Sequence, residues 1–132
     1  MRTVILTIKP HHLHNIRTGR KTIELRKTRP TFTPFLVLCC ESGSGGQIKA
    51  QFWCDSVRAI SPMIETKAIA NEACVRDDEL KTYAGGKTIY AWKVSDVVDW
   101  TREKGYRIKN IRDFGLNHVP QSWCYVKEQE GR

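Results

Sequence analysis

The six residues Phe35-Leu-Val-Leu-Cys-Cys40 carry no charged or strongly polar side chain on either side. Successive residues of a strand point to opposite faces, so a run that is apolar at every position belongs where both faces are covered. It reads as a buried strand. The chain around it has 132 residues, enough to build one core and too few for a second, so residues 1–132 are expected to form one compact domain.

The flanking segments supply the partners. Val4, Leu6 and Ile8 alternate with Thr3, Ile5 and Thr7, which predicts a half-buried strand ended by Pro10 rather than a signal peptide. Proline suits the first turn of a helix, and His11 to Thr18 reads as one, with Leu13 and Ile16 inward and Gly19 as its C-cap. A second strand is expected from about Lys21 to Lys27. Ser42-Gly-Ser-Gly-Gly46 makes a hairpin turn into a long strand from Gln47 to about Ile60, with Ile48, Ala50, Phe52 and Cys54 on one side. Ser61-Pro62, with Glu65 in the first turn, opens a helix running to about Cys74, and Asp77-Asp78-Glu79 opens another ending at Gly85-Gly86. Another long strand, Lys87 to Trp100, sets Tyr90, Trp92 and Val94 on one face. A helical turn at Ile111 to Phe114 and a last strand, Trp123 to Lys127, complete the pattern. The expected fold class is α+β: a small β-barrel, closed or partly open, of five to six mostly antiparallel strands, with a helix after the first strand and one or two short helices more.

No apolar run approaches the roughly 18 to 20 residues of a membrane span, so no membrane partner is expected. Five cysteines, Cys39, Cys40, Cys54, Cys74 and Cys124, fit neither zinc-ligand spacing nor a disulfide framework. The chain reads as reduced and cytoplasmic, with Cys39, Cys40, Cys54 and Cys124, which fall in strand-like runs, as small core residues. His11, His12 and His14 lack a third ligand and read as solvated helix surface; no metal and no cofactor are expected. Gly45-Gly46 leads into a strand rather than a Gly-Lys-Ser/Thr helix start, which excludes a P-loop.

The net charge is +8, and residues 1–30 hold eight Lys or Arg against one Glu. Such asymmetry suggests a basic face that tracks a polyanion, nucleic acid being the commonest. Within that segment, Gly19-Arg-Lys-Thr-Ile-Glu-Leu-Arg-Lys27 sets the one carboxylate, Glu24, among Arg20, Lys21, Arg26 and Lys27. Two readings stand. Glu24 screens a solvated strand face, or Lys21 and Glu24 share a pocket where they hold a polar ligand or move a proton. Strand parity groups Lys21 with Ile23 and Leu25, and Glu24 with Thr22 and Arg26, so a regular strand would point Lys21 and Glu24 apart. A bulge or bend at Lys21 brings them together.

Lys9-Pro10 before the first helix, Gly19-x-Lys21-x-x-Glu24-x-Arg26 after it, the strand pair around Gly46 and Pro120-Gln121-Ser122-Trp123 near the end resemble an ASCH domain of the PUA-like superfamily. The likeness runs from Ile5 to about Val126. It implies a PUA-like barrel with a cleft beside the first helix, lined by Lys9, Lys21, Glu24 and Arg26, and RNA or other single-stranded nucleic acid as ligand. Some ASCH proteins are ribonucleases, and the smallest include amidohydrolases that deacylate 4-acetylcytidine. In those amidohydrolases a threonine stands where this chain has Glu24, and they lack its longer tail.

The function expected on these grounds is nucleic-acid binding, with RNA favoured. Arg20, Lys27 and Arg29 would contact phosphates, Glu24 and Arg26 would meet one base or sugar, and Lys9, Gln121, Ser122 and Trp123 complete the expected nucleic-acid-binding residues. Trp53, Tyr83, Trp92 and Trp123 are the aromatic candidates for stacking. The alternative is an enzyme on the same cleft, a metal-independent ribonuclease or an amidohydrolase, with Lys21 stabilising an oxyanion and Glu24 as general base. A nucleotide-like small molecule would suit the same cleft, and a protein-binding domain, using the acidic stretch Glu65 to Glu79, is the third reading.

Overall fold

A computed structural model describes residues 2–61 and 66–127. Strand β1 (Thr3–Ile8) leads into helix α1 (Pro10–Arg17), where Pro10 occupies the first turn and the Leu13 amide donates to the Lys9 carbonyl at 3.0 Å. Leu13 and Ile16 are the buried positions of α1, as their spacing predicts. Beyond Gly19, at φ +79°, the amides of Arg20 and Lys21 both donate to the Asn15 carbonyl at 3.0 Å. The chain therefore folds back onto α1 before it becomes a strand. Strand β2 spans Ile23–Arg26, shorter than expected at both ends.

Strands β3 (Phe35–Glu41) and β4 (Gln47–Cys54) form the expected hairpin, and β1 pairs with β3 in parallel, Val4 opposite Val37 and Leu6 opposite Cys39. The two predicted long strands are each broken in two. Gln47 to Ile60 divides at Asp55-Ser56 into β4 and β5 (Val57–Ile60), and Lys87 to Trp100 divides at Val94 into β6 (Ile89–Lys93) and β7 (Ser95–Asp99). Each break moves the chain from one sheet to the other. The first sheet has the order β7-β4-β3-β1-β9, with β8 (Lys109–Asn110) also on β4 and β9 spanning Trp123–Tyr125; the second has the order β2-β6-β5. Among the described residues there are thus nine strands in two sheets, not five or six in a single small barrel. The edges β7 and β9 make no ladder with the second sheet, so the structure is not closed.

Helix α2 (Thr66–Glu72) and helix α3 (Asp77–Ala84) pack on the second sheet through Ile69, Ala70, Leu80 and Ala84. The Arg76 amide donates to Glu79 Oε1 at 3.2 Å and Gly85 ends α3 at φ +57°, matching the expected boundaries. The expected N-cap at Ser61-Pro62 and first-turn Glu65 involve Pro62–Glu65, which lie outside the described residues. The turn Ile111–Phe114 is a short 3-10 helix, as placed from the sequence. None of the helices described is long and apolar enough to cross a membrane.

The first sheet is covered on both faces. Val4, Leu6, Val37, Cys39, Phe52 and Trp92 fill one core with α1, while Ile5, Leu38, Cys40, Ile48, Trp100 and Ile111 fill another on the opposite face. The doubly apolar run thus finds the environment its composition demands. Cys39, Cys40 and Cys54 are buried core residues; Cys74 and Cys124 are half-buried, and all five are free thiols.

Candidate functional site

Because the turn after α1 is held by Asn15, Lys21 precedes β2 and escapes its alternation. Its side chain is 2% exposed and Glu24 is 4% exposed, yet both line one cleft. Lys21 Nζ donates to the Ala73 carbonyl and stands 3.2 Å from Glu24 Oε1. Arg26 takes the other oxygen: its Nε donates to Glu24 Oε2 at 2.7 Å and its Nη2 lies 2.6 Å from the same atom. Arg26 also donates to Ser122 Oγ at 3.2 Å and to the Thr7 carbonyl at 2.9 Å, which ties β2 to β1 and to the segment before β9.

A buried carboxylate without partners is strongly disfavoured as an anion. Burial by itself would push the Glu24 carboxyl up, but the Arg26 and Lys21 cations and their hydrogen bonds outweigh it and hold it below the ordinary range. Glu24 is therefore ionised at neutral pH. An ammonium has three N–H donors, and two of those on Lys21 are engaged, which leaves one for the cleft. Arg26 is nearly saturated by its protein partners and acts as a brace across the two sheets.

The cleft has a volume of about 390 Å³. Lys9, at the start of α1, and Gln121 stand at its rim and are both exposed; Ser42 and Tyr83 also contribute. His12 lines it as well. Burial first, and the Lys21 charge second, lower the imidazole to about 4, so it is neutral at pH 7. Its Nδ1 is buried with no hydrogen-bond partner among the described residues.

No protein-family model and no curated protein matches the chain. Solved structures do match. A tyrosine-to-phenylalanine mutant of ZmASCH from Zymomonas mobilis superimposes with a TM-score of 0.78 at 15% identity, covering 97% of this chain and 92% of that one. A serine-to-alanine mutant of the same protein gives 0.76 at 13% identity, over 96% and 89% of the two chains. ASCH from Zymomonas mobilis itself gives 0.75 at 13% identity, over 96% and 88%. This chain has the ASCH fold.

On that ASCH fold the residues singled out from the sequence separate into groups. Lys9, Lys21, Glu24, Arg26 and Gln121 converge on the cleft. Ser122 is one step behind, as an acceptor for Arg26. Arg20 and Lys27 are exposed and do not line it, though Lys27 Nζ stands 4.9 Å from the centre of the ring of Tyr83, which does. Arg29 is half-buried and its Nε donates to the Pro30 carbonyl, so it is less free than Arg20 and Lys27. Trp123 is half-buried, donates to Thr28 Oγ1 at 2.9 Å and meets Trp92 edge-on; it does not line the cleft. Trp92 is wholly buried in the core and is removed from the stacking candidates, since no base can reach its face. Trp53 is half-buried on β4 and away from the cleft, whereas Tyr83 lines it. The sequence reading missed His12. Its position beside Leu13 and four residues before Ile16, the two buried positions of α1, was the available signal.

Proposed function

We propose that this protein binds single-stranded nucleic acid, RNA by preference, and seats one nucleotide in the cleft beside α1. The observation that supports this most directly is the Lys21–Glu24–Arg26 cluster on the cleft wall: one buried carboxylate fixes two cations, and Lys21 retains an N–H for an incoming acceptor. Glu24 chiefly positions the cations. Lys9 and Gln121 at the rim extend the donor set, and Tyr83 offers a ring for stacking. Arg20 and Lys27 supply phosphate contacts along the approach.

Binding of a labelled single-stranded RNA, measured by fluorescence polarisation at several salt concentrations, tests this reading. The expected result is affinity that falls with salt, and weaker binding by Lys21→Met. Binding that is absent at low salt, or indifferent to salt, overturns it.

A second reading, catalysis in the same cleft as a ribonuclease or an amidohydrolase, draws on the neutral His12 imidazole and the Lys21–Glu24 contact. Against it, a carboxylate held ionised by two cations is a weak base. Incubation with RNA and with 4-acetylcytidine, products resolved by mass, decides. A product made by the wild type and lost in Glu24→Gln establishes the enzyme; salt-sensitive binding with no product leaves the binding module.

A further inference from the structure

A second cavity, larger than the first at about 690 Å³, opens on the other core-bearing face of the first sheet, where Leu36 and Leu38 point. It shares no lining residue with the Lys21 cleft. Its floor is Trp100, 6% exposed, whose Nε1 donates to Gln51 Oε1 at 3.1 Å. Tyr106 lies over Trp100 with ring centroids 6.1 Å apart and planes 28° apart, yet remains 44% exposed. The turn that carries it is fixed by the Tyr106 amide donating to the Glu103 carbonyl at 3.1 Å. A fixed backing thus presents an accessible aromatic ring.

The polar part of this cavity is cationic. Lys109 Nζ stands 5.7 Å from the Trp100 ring centre and 5.9 Å from that of Phe114, and Arg107 is exposed at the edge. Among the described residues no aspartate or glutamate lines the cavity. Two other half-buried cations are matched, Arg17 with Asp99 at 3.1 Å and Lys49 with Glu41 at 2.5 Å. Among the described residues neither Arg107 nor Lys109 has an acidic partner. A flat accessible ring beside two cations with no acidic partner among the described residues is the complement of a flat ligand that carries negative charge.

We propose that this cavity is a nucleotide site, separate from the Lys21 cleft, in which a base stacks on Tyr106 while its phosphate pairs with Arg107 and Lys109. Its volume suits a ligand of that size, within the roughly 300–1,000 Å³ of small-molecule pockets. Base stacking and phosphate pairing are offered equally by a free mononucleotide and by one unit of a strand. The proposal does not depend on the function assigned to the first cleft.

The test uses adenosine monophosphate and a short oligouridylate as separate probes on the full chain, with tryptophan quenching as the signal and adenosine and inorganic phosphate as half-ligand controls. Saturable quenching is expected, with affinity reduced about tenfold or more by Tyr106→Ala and by Arg107→Ala/Lys109→Ala. Each half-ligand alone should bind at least about tenfold more weakly than the monophosphate. Saturation with the monophosphate identifies a free-nucleotide site; saturation with the oligonucleotide alone identifies a strand unit. In the wild type the amide resonances of Gly105 to Lys109 should move on addition of the effective probe. Absence of saturation with both probes, resonance shifts confined to the Lys21 cleft, or equal affinity in wild type and both cavity variants overturns the proposal.

Discussion

Lys21 Nζ and Glu24 Oε1 stand 3.2 Å apart at the wall of the first cleft, and neither side chain is more than 6% exposed. Such a pair is costly to assemble and costlier to break, because removing one partner leaves an uncompensated charge in a poorly hydrated place. Arg26 limits the damage but does not remove it.

Lys21→Met is therefore expected to destabilise the fold by about 3 kcal/mol, the lower end of the range for breaking a buried pair. Lys27→Met, on the exposed surface, should change stability by less than about 0.5 kcal/mol. Urea unfolding of the three proteins measures the contrast. The pH dependence follows from Glu24, whose folded carboxyl lies below its unfolded value. Its stabilising contribution is present above the unfolded value and is lost as pH falls through the folded one, so Glu24→Gln should flatten the acid limb of the stability curve.

His12 should titrate near 4 rather than 6.5. Proton NMR of the imidazole Cε1–H between pH 3 and 8 reads this directly. Since the folded value is lowered, the neutral ring favours the fold, and that advantage fades as pH drops from the unfolded value toward 4. Lys21 lowers the imidazole and Glu24 raises it, so Lys21→Met should move the titration upward and Glu24→Gln downward. Titration at an ordinary value in the wild type would show that His12 faces water.

Gly46 occupies φ +91°, and a methyl group there would lie 2.9 Å from Ile111 Cγ1. Gly43, in the same turn at φ +77°, has open space around it. Gly46→Ala should therefore cost more than Gly43→Ala, which carries only the backbone penalty of about 1–2 kcal/mol. Thermal denaturation compares them, and in an Ile111→Ala background, which lacks both Cγ1 and Cδ1, the gap should narrow. Equal costs would mean that Ile111 moves aside freely.

Arg20→Ala and Lys27→Ala should each weaken binding to all single-stranded RNA sequences alike and lower the slope of log affinity against log salt by roughly one unit or less. Arg29→Ala should do less, because its guanidinium already serves the Pro30 carbonyl. Polarisation titrations at four or five salt concentrations supply the slopes.

The elements with one strong local signal were legible before any coordinates. Pro10 and Gly19 bracket α1, the run at Phe35 is buried, and Asp77 and Gly85 bound α3. Sheet membership was not legible, because Asp55-Ser56 and Val94 carry no proline or glycine to mark the passage between sheets. Apolar residues resume at Val57 after the first break and at Val97 after the second, so both segments keep a strand-like composition. At the first cleft, the motif identified Lys21, Glu24 and Arg26, but parity argued against Lys21 meeting the other two. The reason they meet is a pair of backbone bonds to Asn15, which side-chain pattern does not encode. His12 was hidden for a similar reason: a polar residue on the inward side of α1 is read as surface until a cleft is found beneath it.

Strand β1 lies between β3 and β9, with Val4 opposite Tyr125, and Thr7 donates through its hydroxyl to the Pro120 carbonyl and through its amide to the Ser122 carbonyl. During synthesis β3 can pair with one edge of β1 early, but the other edge must wait for a segment about 120 residues behind it. Contacts of such long sequence separation form late and slow the folding rate. Because Gln121 at the rim and the Ser122 acceptor for Arg26 arrive with that same segment, the cleft is among the last parts of the molecule to be completed. A nascent chain halted before Pro120 would carry its whole basic amino-terminal third and still lack a finished place to hold a ligand.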